Sequence, residues 1–187
     1  MKARRIELSL AIEPGTLPDP EAVVPVFHAW IRERALGETL VDVARYGHVR
    51  QGPVVILVGH SGDYVIDVTP NGTRFAAIRK RDAASESSRL GEAAERLLAA
   101  AVLLEAALPG LRLRTDELSL RVLDRLNAPS TPEALAACSE ELTAFARPWL
   151  GEVAIEPATE PGGPLALRLT RAANEPAAAL RARLPPA

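Results

Sequence analysis

The sequence predicts an α+β fold, a two-layer sandwich in which helices cover one face of a mixed sheet. Three observations carry that prediction. Short runs in which apolar and polar residues alternate mark half-buried strands. Two capped helix starts, Asp19-Pro20-Glu21 and Thr131-Pro132-Glu133, fall between such runs. The order of strand and helix signals also occurs twice along the chain.

The 187 residues suffice for one domain, and a hydrophobic fraction of 48% is ample for a core. With only three Phe, two Tyr and two Trp, that core is built mainly from Leu, Val and Ala. Of the 22 basic residues all but Lys2 and Lys80 are arginine, which reads as codon bias in an Ala- and Pro-rich chain. A formal charge of −2 argues against a general polyanion binder. One cysteine cannot close an intrachain disulfide, so a reducing, cytoplasmic setting is expected. The longest uncharged apolar run, Leu97–Leu104, falls far short of the roughly 20 residues of a membrane helix. No membrane role is expected.

Ile6, Leu8, Leu10 and Ile12 alternate with polar or small residues and predict a first strand ended by Pro14-Gly15. Asp19 then caps a helix reaching about Ala35, with Val24, Phe27 and Ile31 on one face and His28 at that face's border. Strands follow at 40–45, 54–58, 64–68 and 74–79, with Pro70-Asn71-Gly72 as a hairpin turn. A helix over about 87–107 is apolar all round in its second half, so it must be covered on more than one side, by the second half of the chain or by another subunit. Strands at 111–114 and 118–123 lead to a helix starting at Thr131. It carries Leu135, Cys138, Leu142 and Phe145 on its buried face, and Pro148 is expected to stop it. Strands at 153–156 and 165–169 complete the fold.

The repeat is visible in residues. Glu7-Leu8-Ser9-Leu10 recurs as Glu117-Leu118-Ser119-Leu120, Pro20-Glu21-Ala22 as Pro132-Glu133-Ala134, and Leu36-Gly37-Glu38 as Leu150-Gly151-Glu152. Each copy reads β-α-β-β, over 4–60 and 111–171, with a hairpin and the long helix inserted at 61–108. A β-α-β crossover implies parallel strands, hence the mixed sheet. Residues 1–171 are expected to form a single domain, and 172–187 a flexible Ala/Pro/Arg-rich tail.

The motifs of nucleotide-binding loops, metalloproteases and serine hydrolases are absent. Candidate chemistry gathers in residues 39–68. Tyr46, His48, His60, Asp63 and Tyr64 are candidate ligand-binding residues, since they have no counterpart in the second copy. His60 could serve as a base oriented by Asp63 or Asp42, making those three the catalytic candidates. Asp42, though, aligns with Glu156 and looks architectural. His48 and His60 are the candidate ligands of a divalent metal, although their spacing matches no known ligand motif and no cofactor is expected. His60, Ser61 and Asp63 sit in one turn, where Ser and Asp more often bond their own backbone than form a triad. Arg79, Lys80 and Arg81 form a basic run, read as a solvated strand end because Asp82 and Glu86 follow and no aromatic platform accompanies it.

The run Leu40-Val41-Asp42-Val43-Ala44-Arg45-Tyr46-Gly47-His48-Val49, followed by Gly52-Pro53 and Leu57-Val58-Gly59-His60, resembles a family of uncharacterised bacterial proteins. The resemblance extends to Asp124-Arg125-Leu126-Asn127-Ala128-Pro129. An acidic residue is expected where Arg45 stands, and the family carries no assigned activity. The leading expectation is a non-enzymatic module that binds a protein partner or assembles with itself. The alternatives are a metal-assisted hydrolase using His48 and His60, and a weak nucleic-acid binder using Arg79-Lys80-Arg81.

Overall fold

The structure, a computed structural model, describes residues 3–17, 19–47, 54–69, 72–80, 89–160 and 162–185. It is an α+β fold of four helices and one eight-stranded antiparallel sheet. The strands are β1 (Ile6–Ile12), β2 (Leu40–Tyr46), β3 (Val54–Gly59), β4 (Gly62–Thr69), β5 (Gly72–Arg79), β6 (Leu113–Val122), β7 (Ala154–Pro157) and β8 (Leu165–Thr170). The helices are α1 (Val23–Glu33), α2 (Arg89–Ala107), α3 (Pro132–Leu150) and α4 (Ala177–Arg183).

The sheet order β2-β3-β4-β5-β1-β6-β8-β7 corrects the expected mixed sheet, because every ladder is antiparallel. The physical reason lies in the short connections. Strands joined by tight turns pair with one another, so β2 to β5 form a meander whose last strand lies beside β1. In the second half β7 and β8 do the same, and β8 lies beside β6. Counting directions across the ladders, β1 and β2 do run parallel, as a crossover requires, but three strands separate them. At the sheet centre Ser9 stands opposite Ser119, Leu8 opposite Leu120 and Leu10 opposite Leu118.

Alternate strand residues enter the core. Val55, Leu57, Tyr64, Ile66, Phe75, Ala77, Leu8, Leu120 and Leu167 join Phe27, Leu97, Leu98, Leu142 and Trp149 from the helices in one buried cluster. Asp19 does not cap α1, whose N-cap is Ala22 without a side-chain bond; its Oδ1 accepts the Glu21 N–H (2.8 Å) and holds a 3₁₀ turn at Pro20–Ala22 that leads into the helix. At the other end of α1 a left-handed C-cap falls on Arg34 (φ 53°), a conformation that usually selects glycine. Thr131 caps α3 through Oγ1, which accepts the Ala134 N–H (3.3 Å). Pro148 does not stop α3, which continues to Leu150; in the last turn a missing N–H removes one bond without breaking the helix.

Two further expectations change. The strands expected at 111–114 and 118–123 are one continuous strand, β6, opposite a register shift in β1 between Leu10 and Ala11. Residues 172–187, expected to be flexible, contain α4, whose Ala177 and Leu180 are buried. Asn174 Oδ1 accepts from the Thr115 N–H (2.9 Å), and Glu175 receives ion pairs from Arg171 and Arg183. Helix α4 packs on α2, so the all-round apolar character of α2 is met largely within the chain. No helix among the described residues is long and apolar enough to cross a membrane.

Candidate functional site

The polar centre of the fold is Glu38, placed where the chain leaves α1 for β2. Its side chain is 8% exposed and receives five donors. Oε2 accepts the Ser61 N–H (3.0 Å), the Ser61 hydroxyl (2.8 Å) and the Gly62 N–H (3.1 Å). Oε1 accepts the Tyr64 hydroxyl (2.8 Å) and an N–H of Arg96 Nη1. Arg96 reaches back to Ser61 Oγ (2.9 Å) and along α2 to Glu92 (3.2 Å). The other oxygen of Glu92 takes the Nε of Arg79 (2.7 Å).

The two-residue turn His60–Ser61 explains the glycines on either side of it. A Cβ at Gly59 would overlap the Gly62 carbonyl and crowd the Glu38 carboxylate. A Cβ at Gly62 would lie 2.9 Å from the Ile78 carbonyl and 3.0 Å from Arg96 Nη1. The glycines therefore let the turn close around Glu38 as a backbone nest closes around an anion. Tyr64 is 2% exposed, and burial together with Glu38 raises its phenol beyond the usual tyrosine range. A carboxylate with both oxygens occupied by donors has no lone pair free to accept a substrate proton. This cluster is built as a latch joining β2, the β3–β4 turn and α2.

The candidate residues do not converge. In the ladder register Asp42, Val58, Asp63 and Ile78 stand side by side, as do Tyr46, Val54, Asp67 and Arg74. Paired residues share a face, so Asp42, Tyr46 and Asp63 project from one side of the sheet and Tyr64 from the other. Asp42 is exposed and its Oδ1 accepts the neighbouring Val43 N–H (2.8 Å). His60 is exposed, and its backbone N–H goes to the Thr39 carbonyl (2.8 Å). Asp63 Oδ1 pairs with Lys80 Nζ (2.8 Å) and receives the Gly59 N–H (3.3 Å). His48 lies outside the described residues. No three His, Cys, Asp or Glu side chains gather for a metal among the described residues.

The basic run is corrected in part. Arg79 is 2% exposed, held by Glu92 and by the Arg4 carbonyl (2.9 Å). It shares the inward parity of Phe75 and Ala77, a signal present in the sequence. Lys80 is bound to Asp63 and to the Gly59 carbonyl (2.7 Å), and Arg81 lies outside the described residues. Cys138 is buried, which pushes its thiol up to about 11, and His28 is exposed rather than bordering the core.

The residues of this cluster that sequence reasoning misses are Glu38 and Arg96. In the sequence Glu38 stands out only as a repeat marker, and Arg96 is hidden by the apolar run of its helix. The face of β2–β5 that carries Asp42 is missed as well. Ala44, Ile56, Val65 and Ala76 form its middle row, and Val54, Val58 and Ile78 flank them. None of the seven belongs to the core cluster or to the residues packed against it, although Val65 and Ala76 are buried and the other five half-buried. Continuing across β1, β6 and β8 the same face turns polar: Glu7 accepts Arg74 (2.9 Å) and Arg121 (3.3 Å), and Arg74 also pairs with Asp67 (2.7 Å). Compared with known proteins, the chain matches no family model and no curated sequence.

Proposed function

We propose that the chain is a non-enzymatic module that associates with a second copy of itself through the outer face of β2–β5. Behind this stands a two-layer architecture of two β-α-β-β units, with the helices on the core side and this face left to a partner. Ser9 opposite its repeat equivalent Ser119 supports the duplication, since that register is what a local two-fold between copies would give.

The observation that carries the reading is the row of Ala44, Ile56, Val65 and Ala76, with Val58 and Ile78 beside it, on strands whose other face fills the core. Ala76 and Val65 are covered within the chain, so the contact would rest on the half-buried Ala44, Ile56, Val58 and Ile78. Its border carries both signs, Asp42 and Asp67 against Arg74 and Lys80, which suits a self-complementary contact better than a highly charged partner. The single cysteine fits a cytoplasmic setting.

Size-exclusion chromatography with light scattering tests this. A dimer mass for the wild type is expected, falling to a monomer for Ile56→Lys with an unchanged circular-dichroism spectrum. A wild-type monomer at every concentration, or a dimer that Ile56→Lys leaves intact, would sink the self-association. Recovery of one stoichiometric protein partner by a monomeric wild type would move the reading to hetero-assembly.

A further inference from the structure

Residues 35–38, α2 and α4 surround a cleft of ≈ 430 Å³, within the range of sites that hold one small organic molecule. Its lining has two characters. Leu36, Ala99, Val102 and Leu103 supply apolar wall, while Tyr64, Glu38 and Arg96 lie at its polar part. The Glu95–Arg181 ion pair (2.6 Å) also lines it, with both side chains nearly half exposed.

Charge and hydrogen bonding narrow what fits. Glu38, Glu92 and Glu95 in the lining face Arg96 and Arg181, and the buried Arg79 neutralises Glu92 from behind. The balance leaves no surplus of either sign for an ionic ligand. Both oxygens of Glu38 are occupied, so the cleft has no carboxylate to offer a donor there. Arg96 uses Nε on Glu92, Nη1 on Glu38, and Nη2 on both Ser61 and Glu92. Of its five N–H groups, one on Nη1 has no partner among the described residues, and the side chain keeps 17% exposure. A half-buried donor beside an apolar wall gains from an acceptor, and the wall gains from hydrocarbon.

We propose that this cleft binds an uncharged, mainly apolar small molecule carrying one hydrogen-bond acceptor directed at Arg96. An added carboxylate would stand against three glutamates, and an added amine against two arginines. The site is independent of the outer sheet face, which lies on the opposite side of the strands.

Nile red, an uncharged dye with a ring carbonyl, is the probe. The wild type should bind it saturably, one to one, with blue-shifted emission. Ala99→Trp fills the wall and Val102→Glu charges it; each should weaken binding by about tenfold or more, with circular dichroism unchanged. Ile56→Lys, on the outer face, should bind as the wild type does. Amide exchange on the wild type reads the same site without a substitution, with dye slowing exchange across Ala99–Leu103. No saturable binding, binding indifferent to both cleft variants, loss only in Ile56→Lys, or dye that protects other segments instead would each overturn the proposal.

Discussion

Glu38 and Glu152 occupy the same place in the two halves, each directly after Leu-Gly between a helix and a strand. Glu38 is buried beneath five donors, whereas Glu152 is exposed. The difference lies in the segments packed around the first of them. Ser61, Gly62 and Tyr64 come from the β3–β4 turn and β4, and Arg96 comes from α2. A glutamate after Leu-Gly is thus solvated at one helix-to-strand passage and ties the β3–β4 turn to α2 at the other.

The largest test of that contrast is truncation. Glu38→Ala should lose roughly 3–5 kcal/mol, because Arg96 and Tyr64 are left buried without their acceptor. Glu152→Ala should stay within about 0.5 kcal/mol of the wild type. Urea unfolding of the pair measures both, and similar losses would break the comparison.

Tyr64→Phe is the next step down. It removes one bond to a charged acceptor and should cost about 1.5–3 kcal/mol. The same hydroxyl gives an alkaline signature. Its folded-state ionisation is raised above the ordinary 10.0, so its contribution is complete below that pH and is lost as pH rises through the folded value. Absorbance titration of phenolate should leave Tyr64 silent until the protein unfolds.

The helix ends supply a smaller contrast. The capping residue with positive φ is Arg34 after α1 but Gly151 (φ 79°) after α3. Arg34→Gly should stabilise the protein by about 1 kcal/mol, and Gly151→Ala should destabilise it by about 1–2 kcal/mol. Thermal midpoints moving in opposite directions would confirm the assignment.

The smallest expected effect is local and acidic. Arg183 and then Arg171 hold the Glu175 carboxyl down at about 2, against an ordinary 4.5. A depressed folded value means the contribution is present above 4.5 and is lost as pH falls towards 2. Amide exchange across Ala177–Arg183 should therefore accelerate over that window before the sheet responds. Exchange that rises simultaneously in both would show α4 to be no weaker than the core.

How much is legible in the sequence depends on the range of the interactions. Alternation at Ile6–Ile12, the Thr131 cap and the strands of the meander depend on near neighbours and are readable in the chain, whereas the helix start read at Asp19 falls three residues later, after a 3₁₀ turn. Strand order is not, because closing β5 against β1 depends on which partner wins across some 60 residues, and nothing local records the winner. The latch shows the same limit. Glu38 lies 23 residues from Ser61, 26 from Tyr64 and 58 from Arg96, so no window contains it. Its signals are two glycines bracketing a two-residue turn and an arginine inside an alanine-leucine helix. Arg79 is different, since counting by twos from Phe75 already turns it inward.

The two rims of the sheet end differently. On β2 the Val43 N–H is already bonded to Asp42, and on β7 the last residue is Pro157, which has no N–H to give. A growing fibril adds strands by capturing such groups, so both ends of this sheet are poor templates for it. At Val43 and at Pro157 an incoming strand would therefore find no backbone donor to capture.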